Sequence, residues 1–138
     1  MGLDISHDIW HGAYGAFHRW RNAVWVAAGN ELKTVETRWG GEHEIPDLDW
    51  DSVQSHELYG HWERQVDDPL MWLMAHHDSD GILYPHQAEE IAMRLEEILP
   101  NLPEGEGGGH IGSWKEKTET FIKGLRVAAG EGDMVVFR

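Results

Sequence analysis

Between positions 88 and 99 the apolar residues fall at Ala88, Ile91, Ala92, Leu95, Ile98 and Leu99, while Glu89, Glu90, Glu96 and Glu97 stay off that stripe. This i, i+3, i+4, i+7 spacing predicts a helix with one buried face, and such a face must be covered by other elements. Pro85 precedes the pattern and Pro100 stops it, as the missing N–H and the ring of proline require. A second stripe, Ala13, Phe17, Trp20, Val24 and Ala27, predicts a helix over 13–28 with Gly29 just past its end. Ser113-x-x-Glu116 reads as a capping box opening a last helix, with Trp114, Thr118, Phe121, Ile122 and Leu125 on its buried face and Gly130 ending it.

Weaker signals fill in the rest. Asp68-Pro69 predicts the start of a short helix from Leu70 to about His76. Residues 77–84 read as a loop around the turn signal Asp80-Gly81. Residues 3–6 and 134–137 have the character of strands. Residues 30–66, with Gly40-Gly41 and Pro46, read as loops with a short helix around 53–62. Two terminal strands with about four helices predict an α+β fold: one small domain over residues 1–138, mainly helical, with a short sheet in which the two ends pair.

The sequence excludes several chemistries. There are no cysteines, so disulfides, thiolate metal sites and thiol nucleophiles drop out together, and a reducing, cytoplasmic setting is expected. No apolar run is long enough to span a bilayer, and residues 1–6 have no secretion-signal pattern. Gly2 and Ser6 match a myristoylation pattern, but the stretch reads better as a buried strand and lacks a basic second membrane signal. The net charge of −14 is uneven: residues 1–41 sum to zero, 42–106 to −15 and 107–138 to +1. No basic stripe invites duplex nucleic acid. A small anion is expected to meet the ends of the chain rather than the acidic middle, which reads as a solvated face.

Three segments could carry chemistry. Gly107, Gly108, Gly109, His110 and Gly112 lie just before a capped helix whose first turn holds Lys115 and Lys117. Backbone N–H groups and a helix N-terminus can cradle phosphate, although a GxGxxG pattern without a preceding strand is a weak signal. His7 and His11, with Asp8 and Tyr14, form a second segment at the start of the first long helix. A third, His76, His77, Asp78 and Asp80 before Gly81, resembles part of an EF-hand loop, but its first position is His76 and its twelfth Gln87. Two needed carboxylates are therefore missing, and no tightly bound calcium or zinc and no cofactor are expected. Eight tryptophans and ten histidines supply rings for stacking and groups that titrate near neutrality. GxSxG and Walker patterns are absent.

Gly2-Leu3-Asp4-Ile5-Ser6-His7-Asp8 with Trp10 and Gly12-Ala13-Tyr14, Asp78-Ser79-Asp80-Gly81, and Gly107 to Gly112 with Trp114, Lys117, Thr118, Phe121, Ile122, Gly124 and Leu125 together resemble blocks of a family of uncharacterised phage and prophage proteins. These blocks cover about half the chain, and the region 30–66 lies outside them. The resemblance implies a phage-encoded protein acting in the host cytoplasm, in a group where counter-defence factors are common. It carries no catalytic residue with it.

The leading expectation is a counter-defence sponge, a homo-oligomer that sequesters a small anionic, nucleotide-derived immune signal such as a cyclic oligonucleotide. Its pocket would join His7, Asp8, His11 and Tyr14 to Gly107, Gly108, Gly109, His110, Gly112, Trp114 and Lys115. One alternative is a metal-dependent phosphoesterase using His7, His11, His77 and Asp78. Another is an acidic nucleic-acid mimic presenting residues 42–106 to a host protein.

Overall fold

The computed structural model describes residues 2–107 and 112–138. The chain opens with strands β1 (Gly2–Ile5) and β2 (Trp10–Ala13), which form an antiparallel pair with Ile5 opposite Trp10 and Gly2 opposite Ala13. Helix α1 (Tyr14–Ala27) follows directly. Strands β3 (Leu32–Glu36) and β4 (Glu42–Pro46) make a separate two-stranded hairpin. Short 3-10 turns at Trp50–Ser52 and Glu57–Tyr59 lead to the one-turn helix α2 (Leu70–Met74). Strand β5 (Gly81–Leu83) precedes helix α3 (Pro85–Ile98). A small ladder of β6 (Glu106–Gly107) and β7 (Gly112–Ser113) leads into helix α4 (Trp114–Glu131), and strand β8 (Val135–Phe137) closes the chain.

The main sheet is antiparallel, in the order β2-β1-β8-β5. The termini pair as expected: Asp4 and Arg138 exchange backbone hydrogen bonds of 2.9 and 2.8 Å, and Ser6 N–H donates to the Val136 carbonyl at 2.9 Å. This puts β8 between β1 and β5. The fold is therefore α+β, mainly helical, with both ends of the chain in one sheet.

The apolar stripes read from the sequence form the core. Ala88, Ile91, Ala92, Leu95 and Ile98 of α3 are buried, as are Phe121, Ile122 and Leu125 of α4. The aromatic centre joins Phe17, Trp20 and Phe121, with Trp20 and Phe121 stacked at 4.4 Å between ring centroids. Trp20 Nε1 donates to Thr118 Oγ1 at 2.9 Å, so its indole is both buried and satisfied. Trp114 is only partly buried against this core.

Local expectations needed four corrections. The region 30–66 contains the β3–β4 hairpin, and its expected short helix is replaced by the two 3-10 turns. The segment after α2 includes strand β5, which its short length and Gly81 start concealed. α2 itself stops at Met74. α4 passes through Gly130 and ends on Gly132, whose φ of 70° supplies the left-handed cap.

Candidate functional site

Arg21 carries the main electrostatic anomaly of the fold. It lies on the buried face of α1, four residues after Phe17, and is only 9% exposed. Its guanidinium sits 4.6 Å from the Phe17 ring centroid. Nη1 donates to the carbonyls of Leu73, Met74 and His76 at 3.2, 3.4 and 2.7 Å. A cation there suits the C-terminus of α2. Nε and Nη2 have no hydrogen-bond partner among the described residues, and no carboxylate there forms an ion pair with Arg21. Burial pushes the guanidinium down to about 10, opposed by the charge of Asp78.

This arginine lines a cleft of about 150 Å³ with His18, Ile45, Pro46, Trp50 and Met74. The elements that build it are α1, the end of β4, the 3-10 turn at Trp50 and the end of α2. His18 is oriented by donating from Nε2 to the Glu44 carbonyl at 2.8 Å, and its ring meets His43 edge-on. Burial lowers the His18 pKa, with the Glu44 carbonyl opposing, and Arg21 and His43 lower it further. Trp50 donates its indole N–H to the Pro46 carbonyl at 3.0 Å, which fixes the ring in the cleft wall. A cation against apolar walls is suited to a desolvated anionic group, because charge-assisted hydrogen bonds strengthen as water is excluded.

The sequence-derived candidates fall in other places. His7 and Asp8 lie in the turn between β1 and β2, with φ of 60° and 56°, a conformation that non-glycine residues rarely adopt. They line a second cleft, of about 350 Å³, with Thr120, Lys123, Gly124 and Val127. His11 is exposed on β2 and contacts Asp4 at 2.5 Å and Asp8 at 3.3 Å. Tyr14 is partly buried against the core.

Lys115 is paired with Glu104 at 2.5 Å. The chain itself thus supplies a negative partner for this lysine. Lys117 sits 4.1 Å from the Trp10 ring centroid. Gly124 stands nine residues beyond Lys115, about 14 Å along a helix at 1.5 Å per residue. His7 and Asp8 therefore meet the middle of α4 rather than its N-terminus. Gly108, Gly109, His110 and the rest of 108–111 lie outside the described residues, while Gly107 and Gly112 pair across the β6–β7 ladder.

The segment 76–80 is structural around His76. This ring is buried, stacks on Phe137 at 3.9 Å, and has Nδ1 2.7 Å from the His77 carbonyl and Nε2 2.8 Å from the Ile82 carbonyl. Each ring nitrogen faces a backbone carbonyl in a buried setting, which leaves neither open to a metal. His77 Nδ1 accepts from the Ser79 N–H at 3.2 Å, and its ring stacks on Tyr59. Among the described residues one group of three metal-type donors converges, His7 with Glu131 and Asp133. The combination of His7, His11, His77 and Asp78 is not assembled.

Sequence reasoning missed the Arg21 cleft. Its readable signal was an arginine on an otherwise apolar helical face, between Trp20 and Val24. The cleft takes Arg21 and His18 from the neutral first segment, and Ile45, Pro46, Trp50 and Met74 from the acidic middle. Comparisons with known proteins leave this geometry to speak for itself: no protein-family model, no curated protein and no solved structure matches the chain.

Proposed function

We propose that the protein is a binding protein that holds a small anionic, nucleotide-like ligand intact, with the anionic group against Arg21. The observation that carries this reading is a buried guanidinium in a cleft with no carboxylate of the described residues bonded to it. The Leu73, Met74 and His76 carbonyls and the charge of Asp78 offset the cost of burying this cation only in part, and a ligand anion adds to them. The cleft is smaller than the usual few hundred Å³ of a whole-ligand pocket. It takes one phosphate-sized group and leaves a ring free to lie along the outer wall. The lining offers a cation, an imidazole and apolar side chains but no hydroxyl or carboxylate nucleophile, which favours sequestration over cleavage.

The resemblance of the terminal blocks to phage and prophage proteins supports a counter-defence setting, in which the ligand is a nucleotide-derived immune signal. No described helix is long and apolar enough to cross a membrane.

Calorimetric titration with mononucleotides and cyclic oligonucleotides, followed by chromatography of the recovered ligand, tests the proposal. Binding with intact recovery is expected. Arg21→Met should bind about 10- to 100-fold more weakly, the range for losing a hydrogen bond to a charged group. Equal binding by a folded Arg21→Met variant overturns the cleft, and ligand breakdown overturns the sponge in favour of a phosphoesterase. Light scattering on the same samples reads the expected homo-oligomer.

A further inference from the structure

We propose that His7, Glu131 and Asp133 form a site for one divalent transition-metal ion, separate from the Arg21 cleft. Each offers a donor atom, and these atoms all lie within 4.8 Å of one another. Metal–ligand bonds of about 2.0–2.2 Å put neighbouring donors about 3 Å apart. The two carboxylates are exposed, which leaves their side chains free to rotate toward that spacing.

The imidazole is the fixed member. His7 is partly buried, its side chain 17% exposed, and its Nε2 points at Asp133 Oδ2 at 3.1 Å. Its other nitrogen, Nδ1, is bonded to Ser6 Oγ at 2.9 Å. That hydroxyl also accepts the Val136 N–H at 2.9 Å, which anchors it between β1 and β8. Metal-binding histidines commonly have such a second partner, which sets the ring orientation. A hydroxyl suits both states, because it donates to Nδ1 when Nε2 carries the proton and accepts from Nδ1–H when Nε2 binds metal.

The two carboxylates reach the ring from one turn. Glu131 ends α4, Gly132 reverses the chain in the left-handed region, and Asp133 follows. Asp133 is hydrogen-bonded to His7 and also contacts the Glu131 side chain. Two acidic groups this close favour a cation between them.

One nitrogen and two oxygen donors suit zinc, manganese, iron or cobalt better than calcium, which takes six to eight oxygens. Three protein ligands leave coordination positions open. The proposal departs from the sequence-based expectation of no bound zinc, which could not pair these residues because His7 and Asp133 stand 126 positions apart.

The test is equilibrium dialysis against zinc, and separately manganese, with metal content measured after removal of excess ion. One equivalent of zinc is expected in the parent, together with a rise in melting temperature, since ligands of the folded state stabilise it. His7→Asn keeps a residue that tolerates positive φ, and Asp133→Asn removes the charge of an exposed turn residue while keeping an oxygen that can accept from His7. Each should bind zinc at least about tenfold more weakly, while His11→Ala, an exposed histidine of the same segment, should bind as the parent does. Uptake below one equivalent in the parent, undiminished binding in both variants, or an equal loss in His11→Ala would overturn the site.

Discussion

His76 shows how one side chain can be committed by its surroundings. Gly60 and Gly81 press against its ring, and a Cβ on Gly60 would lie 1.6 Å from the Ile82 carbonyl oxygen and 3.2 Å from His76 Nε2. Burial pushes the imidazole down to about 4, opposed by the His77 and Ile82 carbonyls and reinforced by Arg21. A neutral ring has one N–H for two carbonyls, so the geometry favours protonation. Burial beside a guanidinium outweighs it, and the ring stays neutral. The sign of the pH effect follows. With a folded pKa below the unfolded value of about 6.5, the neutral ring's stabilisation is fully present above that value and is lost as pH falls toward 4. The difference corresponds to about 3 kcal/mol. NMR titration of the ring protons should find His76 neutral at pH 5.5. A midpoint near 6.5 would contradict the assignment.

At the scale of elements, the contact between α4 and the β1–β2 turn is set by Gly124. A Cβ there would meet Ile9 Cγ1 at 2.3 Å and the His7 carbonyl oxygen at 2.9 Å. Glycine inside a helix ordinarily costs about 1 kcal/mol relative to alanine, so Gly124→Ala would stabilise a free helix. Here the opposing backbone is held in the left-handed region at His7 and Asp8 and cannot retreat cheaply. Overpacking costs of about 1–3 kcal/mol should therefore win. Urea unfolding of Gly124→Ala is expected to show a net loss of up to about 2 kcal/mol. A gain would mean that the turn yields and does not hold His7 in place.

For the molecule as a whole, β8 is the element on which the sheet depends. It separates β1 from β5 and buries Val135 and Phe137. Removing residues 134–138 leaves two open strand edges and strips Phe137 from the His76 ring. Burial of the two side chains alone contributes about 3–6 kcal/mol, a large share of the 5–15 kcal/mol typical of a domain. Calorimetry of the truncated chain should show the cooperative transition weakened or lost. An unchanged melting temperature would show that the core does not need the terminal strand.

The sequence by itself determined the three long helices, their buried faces and the strand character of both ends. Those signals are periodic and local: a stripe such as Ala88, Ile91, Ala92 and Leu95 repeats within a few turns, and burial of one face follows directly from it. The β3–β4 hairpin was less legible. Leu32, Val35 and Ile45 are only partly buried, and most of its remaining residues are exposed, so the alternation that marks a half-buried strand is weak. Only the tertiary structure decided the sites. Arg21 becomes an unusual cation because α2 ends against it and β4 walls it in, and His7 acquires Asp133 because β8 returns beside β1. Lys115, which stood out in the sequence, is neutralised by Glu104. Such partners are chosen by three-dimensional packing, and the local pattern around each residue does not encode which distant group will face it.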